Sequence, residues 1–245
     1  MPSPGTATVS VVVPHFNHGA YVHEALASVR DQTWPACEPV VVDDCSTDAA
    51  SRRELERCAE TCPGLRTLCT ERRSGPAAAR NAGAAAARGR FLCFLDADDR
   101  MDRTFIEKAM LSLWMRPEVA FVYSYLQHFG ADHGVYPTLD PYNFYELLQE
   151  DRIPYCAVLR REAFERIGGY DEALNEAESE DWDFWVRLGK AGYEGYCLAE
   201  PLFLYRQAEN VRLAAVRANY DRIVEGLHRR HADLYSPAAQ RRLRA

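Results

Sequence analysis

Three short apolar runs constrain this chain more than any other feature: Val9-Ser10-Val11-Val12-Val13, Pro39-Val40-Val41-Val42 and Phe91-Leu92-Cys93-Phe94-Leu95. A strand that alternates apolar and polar residues can leave one face in water. Runs such as these instead suit strands covered on both faces, as in a parallel sheet between layers of helices. Between the first two runs, Val22, Leu26 and Val29 recur at helical spacing as far as Gln32, so the chain opens as strand, helix, strand. Pro14 is expected to end the first strand. The second run leads straight into Asp43-Asp44-Cys45-Ser46-Thr47-Asp48, and the third into Asp96-Ala97-Asp98-Asp99. Binding loops of open parallel sheets gather at the carboxyl ends of strands, so both acidic clusters stand where such loops belong.

The remaining pattern is α/β. Ala49 to Ala59 and the Ala-rich Ala77 to Ala87 read as helices, with Leu65 to Cys69 a short strand between them. Further on, Phe105 to Trp114 reads as a helix and Val119 to Tyr125 as a strand. His128 to Tyr142 is a loop punctuated by Gly and Pro, the least periodic part of the chain. Helical pattern returns from Ala163, a turn follows at Gly168-Gly169-Tyr170-Asp171, and a helix is expected near Asp181 to Leu188. Leu198 to Tyr205 is expected as the last strand. From Arg212 the tail holds eight arginines against three acids, a locally basic stretch in a chain of net charge -7.

A chain of 245 residues with 47% hydrophobic content can bury one substantial core without disulfides. Its acidity argues against nucleic acid as the partner, because phosphate-backbone binding needs a basic face. Met1 to Thr8 has neither the basic start nor the apolar stretch of a secretory signal, and no run approaches a membrane span, so a cytoplasmic location is expected. The eight cysteines form no CxxC pair and read as reduced thiols; a zinc site is the sharper alternative.

Four segments carry chemistry. The carboxylates of Asp43-Asp44 can accept a base N–H, while Ser46 or Thr47 can cap the next helix; an ordinary strand-end turn is the plainer reading. Asp96-x-Asp98-Asp99 crowds like charges at a buried strand end, which a hard divalent cation sharing substrate phosphates would relieve. A solvated acidic turn is the alternative. Gly75-Pro76 opens a helix that carries Arg80 one turn inside, a place suited to a diphosphate, although Arg80 could equally pair with an acid. Finally, Glu176 to Trp185 interleaves acids with aromatics: either a partly desolvated base, or acids at a helix start above core indoles.

In this order, VSVVVPHFN, VVVDDCSTD, GPAAARNAGAAAARGRFLCFLDADD, RREAFERIGGYDE and ESEDWDFWVRLGKAG resemble the inverting family-2 glycosyltransferases of the GT-A fold, over Val9 to Arg206. The resemblance implies a Rossmann-like, mostly parallel sheet flanked by helices. It places a nucleotide-sugar-binding half in 1–100 and an acceptor half in 101–211, followed by a helical tail, 212–245. It puts Pro14 and Asp44 beside the base and Arg80 near the base or diphosphate, with Phe16, Asn17 and Gly75 also among the nucleotide-binding residues. Asp98 falls at the metal position of the DxD motif, beside Asp96, Ala97 and Asp99, with Mn2+ or Mg2+ as the cofactor. Asp181 falls at the general base.

The implied reaction moves a sugar from a nucleoside-diphosphate donor, UDP or dTDP favoured, to a hydroxyl of a carbohydrate or lipid-linked acceptor in polysaccharide or glycoconjugate synthesis. The basic tail is expected either to make peripheral membrane contact or to be a solvated helical extension. Departures from the family pattern are Cys45 for a frequent glycine, Phe16 for a frequent tyrosine, and Ala208 for a histidine. The last keeps alive an inactive glycosyltransferase-like binding protein, and a nucleotidyltransferase is a second alternative. No GxGxxG follows the first strand, which sets a dinucleotide-binding dehydrogenase aside.

Overall fold

The computed structural model describes residues 8–174, 179–207 and 212–244. In chain order the elements are β1 (Val9–His15), α1 (Gly19–Arg30), β2 (Cys37–Asp43), α2 (Ala49–Thr61), β3 (Arg66–Cys69), α3 (Pro76–Ala86), β4 (Phe91–Phe94), β5 (Arg100–Met101) and α4 (Phe105–Met115). Then follow β6 (Val119–Gly130), β7 (Gly134–Tyr136), α5 (Phe144–Leu147), β8 (Val158–Arg160), α6 (Arg161–Arg166), α7 (Glu180–Lys190), β9 (Glu194–Gln207), α8 (Arg212–Arg230) and α9 (Pro237–Arg244).

One sheet runs β3-β2-β1-β4-β8-β6-β9-β5, with β7 paired to β6. Its first four strands are parallel, as their two-sided apolar runs require; β8 runs against both β4 and β6, and β9 lies parallel to β6. Strand order reverses at β1, which sits between β2 and β4, and the crevice outside their carboxyl ends is where ligands of such sheets bind. The core lies on both faces of the sheet: Val9, Val11 and Val13 pack toward α1 and α4, while Val12, Val40 and Val42 pack toward α3 and α7.

β1 continues through Pro14 to His15. Pro14 has no N–H to give, but on that side the ladder with β4 has already ended at Val12, so no partner is deprived. The segment from His128 contains the end of β6 and all of β7, an arm whose half-exposed residues obscure any pattern. β9 begins at Glu194, ahead of the expected Leu198, and an irregularity opposite Ser124 and Tyr125 breaks its alternation.

Two glycines allow close packing around α3. A Cβ on Gly83 would stand 2.3 Å from Val12 Cγ1, so α3 can lie flat on β1 only without one. Gly169, at φ 73, lets the turn after α6 dock on α3. There Asn81 donates to Tyr170 O and accepts from Tyr170 N, each at 2.9 Å. The segment leading to α7 is thereby tied to the helix that carries Arg80.

The tail is helical and shares the core. Ile223 and Leu227 are buried with α7, and His231 lies 2.9 Å from Asp183 of that helix. Tyr235 donates to Leu148 O at 2.9 Å. No helix among the described residues is long and apolar enough to cross a membrane.

Candidate active site

Loops after β1, β2 and β4 form one wall. Asn17, at φ 55, ties the first two together: its Oδ1 accepts from the N–H groups of Thr47 and Asp48, and its own N–H donates to Ser46 Oγ, all at 2.9 Å. Phe16 lies under the Arg73 guanidinium at 4.1 Å, and Pro14 is half-buried. Cys45 has φ 61, a left-handed backbone that L side chains resist, which is the physical reason a glycine suits this position.

Asp44, 4% exposed, accepts from Thr70 Oγ1 at 3.0 Å, Ser74 N at 2.9 Å and Gly75 N at 2.7 Å. Ser74 N also reaches the second oxygen at 3.1 Å, so each carboxylate oxygen accepts two bonds, one donor being shared between them. The carboxylate therefore builds the turn before α3. His15 is buried between Asp43, at 3.0 Å from its Nδ1, and a Nε2 with no partner; burial outweighs Asp43 and holds its pKa below the ordinary value.

The acidic loop after β4 divides its carboxylates among different tasks. Asp96 receives Arg80 Nη2 at 2.9 Å. Asp99, 1% exposed, accepts from Arg206 N at 2.6 Å and from the Tyr155 hydroxyl. Burial, then the charges of Asp98 and Asp96, push its pKa well above the carboxylate range. Ala97 is fully buried, its methyl in the core. Asp98 is partly exposed, with Oδ1 3.7 Å from His18 Nδ1. Arg206 braces this loop, donating to Asp98 O at 2.7 Å and to Glu24 at 2.8 Å.

Arg80 is the centre of the site. Its side chain, 1% exposed, spans Asp96 and Glu180, the latter at 2.7 Å, between the rings of Tyr155 and Tyr170 at 5.1 and 5.3 Å. Burial works against its charge, but Asp96 and Glu180 outweigh it and hold the guanidinium protonated. Residues sixteen and one hundred positions away in sequence are thereby brought together. A cleft of about 490 Å³ opens beside Arg80, walled by Asp151, Tyr155, Glu180, Asp181 and Tyr205. A larger groove of about 800 Å³ near α1, lined by Glu24, Asp31 and Arg100, holds no comparable arrangement of reactive groups.

In the acidic segment, Glu176 and Glu178 lie outside the described residues, as does Ala208. Trp182, Phe184 and Trp185 are core, buried with α5 and β6. Glu180 is held by Arg80. Asp183, 3% exposed, is held by Arg187 at 2.7 Å and His231 at 2.9 Å, and these two bonds overcome burial to lower its pKa. Asp181 alone of the three is partly exposed, and it lines the cleft.

Asp151 and Tyr155 are site residues that the sequence did not single out. Oδ1 of Asp151 is buried without a partner; burial, then Asp181, Glu180 and Glu150, push its pKa well above the usual range. Both fall after an aperiodic stretch, and only their adjacency to the acids of distant segments distinguishes them. All eight cysteines are free thiols, and no group of three His, Cys, Asp or Glu side chains among the described residues is placed to hold a metal by itself.

The chain is similar to several known proteins. The chain is 30% identical over 207 residues to the putative teichuronic acid biosynthesis glycosyltransferase TuaG of Bacillus subtilis, covering 82% of this chain and 80% of that protein. It is 32% identical over 202 residues to the O-antigen biosynthesis protein RfbC of Myxococcus xanthus, a match covering 81% of this chain but only 16% of that protein's length. Among solved structures, S. aureus TarS 1-349 in complex with UDP-GlcNAc superposes with a TM-score of 0.75 at 20% identity, covering 96% of this chain and 70% of that one. The mannosyltransferase PcManGT of Pyrobaculum calidifontis, in complex with GDP-Man and Mn2+, gives 0.67 at 21%, covering 99% and 76%. These likenesses show the fold to be GT-A. The family model for glycosyl transferase family 2 matches residues 10–168, and the chain belongs to that family.

Proposed function

We propose that the chain is an inverting transferase that moves a sugar from a UDP or dTDP sugar to a hydroxyl of a carbohydrate or lipid-linked acceptor in bacterial polysaccharide or glycoconjugate synthesis. One observation carries the reading: Arg80, buried between Asp96 and Glu180, sets the acidic loop after β4 and the start of α7 on a single cleft. Asp181 lines the cleft beside Arg80, and a donor held by the loops after β1, β2 and β4 would meet that cleft past Asp96 and Arg80, with Asp181 across from its diphosphate. That is the disposition in-line displacement needs, with the attacking hydroxyl opposite the departing diphosphate.

Asp181 takes the proton of the acceptor hydroxyl as that oxygen attacks the anomeric carbon. Asp98 would hold Mn2+ or Mg2+, whose charge offsets the charge building on the diphosphate. The donor set fits such an ion: Asp96 and Asp99 are engaged elsewhere, and a hard cation bound by one or two protein ligands completes its sphere with substrate phosphates and water. Asp44, an acceptor-only carboxylate, would take a base ring N–H in place of the longer half of the shared Ser74 bond. Uracil and thymine offer one, cytosine and adenine lack it, and guanine, which has one, would be excluded by its size. TarS was solved with UDP-GlcNAc and PcManGT with GDP-Man, so both support a nucleoside-diphosphate sugar as donor. The exposed arginines of the tail, Arg222 and Arg229 among them, suit a cytoplasmic protein resting against anionic lipid near a lipid-linked acceptor.

A hydrolysis screen of nucleotide sugars with manganese or magnesium present tests the donor side without an acceptor. Turnover of UDP or dTDP sugars by the wild type, and its loss in Asp98→Ala, is expected. Equal turnover of all nucleotide sugars, or full metal-stimulated turnover by Asp98→Ala, would overturn the reading.

A further inference from the structure

We propose that His18 joins Asp98 as a protein ligand of the donor-bound divalent cation, giving the site one nitrogen ligand and a preference for manganese over magnesium. The inference rests on the reading that Asp98 meets a cation and diphosphate. His18 occupies the position before the first turn of α1, yet its side chain caps no backbone N–H there. It turns instead toward the acidic loop, with Nδ1 3.7 Å from Asp98 Oδ1. The two side chains are 43% and 23% exposed, so neither is committed to the core. The separation is too long for a good hydrogen bond. Two ligands about 2.1 Å from one ion stand about 3 Å apart when adjacent in an octahedron, so a small rotation of the exposed imidazole closes the pair on a cation.

Among the described residues, the other acidic and imidazole groups of these loops are committed elsewhere. Asp96 is held by Arg80, and Asp99 by Tyr155 and Arg206. His15 is 1% exposed, and its Nδ1 is bound to Asp43. A site of one carboxylate and one imidazole departs from the all-oxygen set that magnesium prefers, and imidazole is a ligand of transition metals.

Pulsed electron paramagnetic resonance of Mn2+ bound with UDP, dTDP or GDP tests this in the wild type, His18→Gln and Asp98→Ala. The wild type is expected to show modulation from a directly coordinated nitrogen, and His18→Gln to lose it. Mn2+ affinity should fall at least about tenfold in His18→Gln, while Mg2+ affinity and metal-free nucleotide affinity change little. Mn2+ held by the wild type without nitrogen modulation, or modulation that persists in His18→Gln, would overturn the proposal and leave Asp98 untouched. Equal weakening of metal-free nucleotide binding in His18→Gln would make His18 a phosphate contact and overturn it as well. Failure of the wild type to retain Mn2+ with any of the three nucleotides would remove the Asp98 reading and this one together.

Discussion

Asp181→Asn is expected to bind the donor nearly as the wild type does and to lose transfer by about 10²–10⁴-fold in kcat. Asparagine keeps the size of the side chain but cannot take a proton, so the loss should fall on the chemical step. The neighbouring acids make the prediction sharp. Glu180 is bound to Arg80 at 2.7 Å, and Asp183 is bound to both Arg187 and His231, so each already serves a structural partner. Glu180→Gln and Asp183→Asn should therefore lower stability, each with a smaller effect on kcat than Asp181→Asn. Steady-state transfer beside a donor-binding titration decides among the three. A fully active Asp181→Asn enzyme would refute the assignment.

Arg80→Met is expected to cost about 3–5 kcal/mol of stability, because it leaves the carboxylates of Asp96 and Glu180 facing one another without a cation. The side chain is 1% exposed, so water cannot reach in to replace the guanidinium. Arg80→Lys keeps a charge but loses the fork that reaches both acids at once, so an intermediate loss is expected. Adding Glu180→Gln to Arg80→Met should recover part of the stability, since one unpaired charge is then removed. Urea unfolding of the four proteins measures this. A loss below about 1 kcal/mol in Arg80→Met would show that the bridge does not hold the two halves.

The sequence made the parallel half of the sheet and its strand-end acids legible, because two-sided burial there demands unbroken runs such as Val40-Val41-Val42. It was far less readable between Tyr125 and Ile153. The end of β6 and all of β7 form a half-exposed arm, so no periodicity marks them. Pairings across the chain were invisible for a different reason. Arg80 could as well have been a surface residue, and nothing in its own neighbourhood reveals that Glu180 arrives against it. The aromatics around Asp181 carried two readings at once: the indoles of Trp182 and Trp185 are core, while Asp181 faces the cleft. Asp151 was missed because its significance lies in what surrounds it and not in its sequence context.

The most direct test of a base and a leaving group on opposite sides of one cleft is the anomer released first. With the donor found by the hydrolysis screen, proton NMR over the first minutes of turnover distinguishes the two sugar anomers before they equilibrate. Water entering from the side of Asp181 should yield the anomer opposite to that of the donor, and Asp181→Asn should release it far more slowly. Release of the same anomer as the donor would contradict inverting displacement across this cleft.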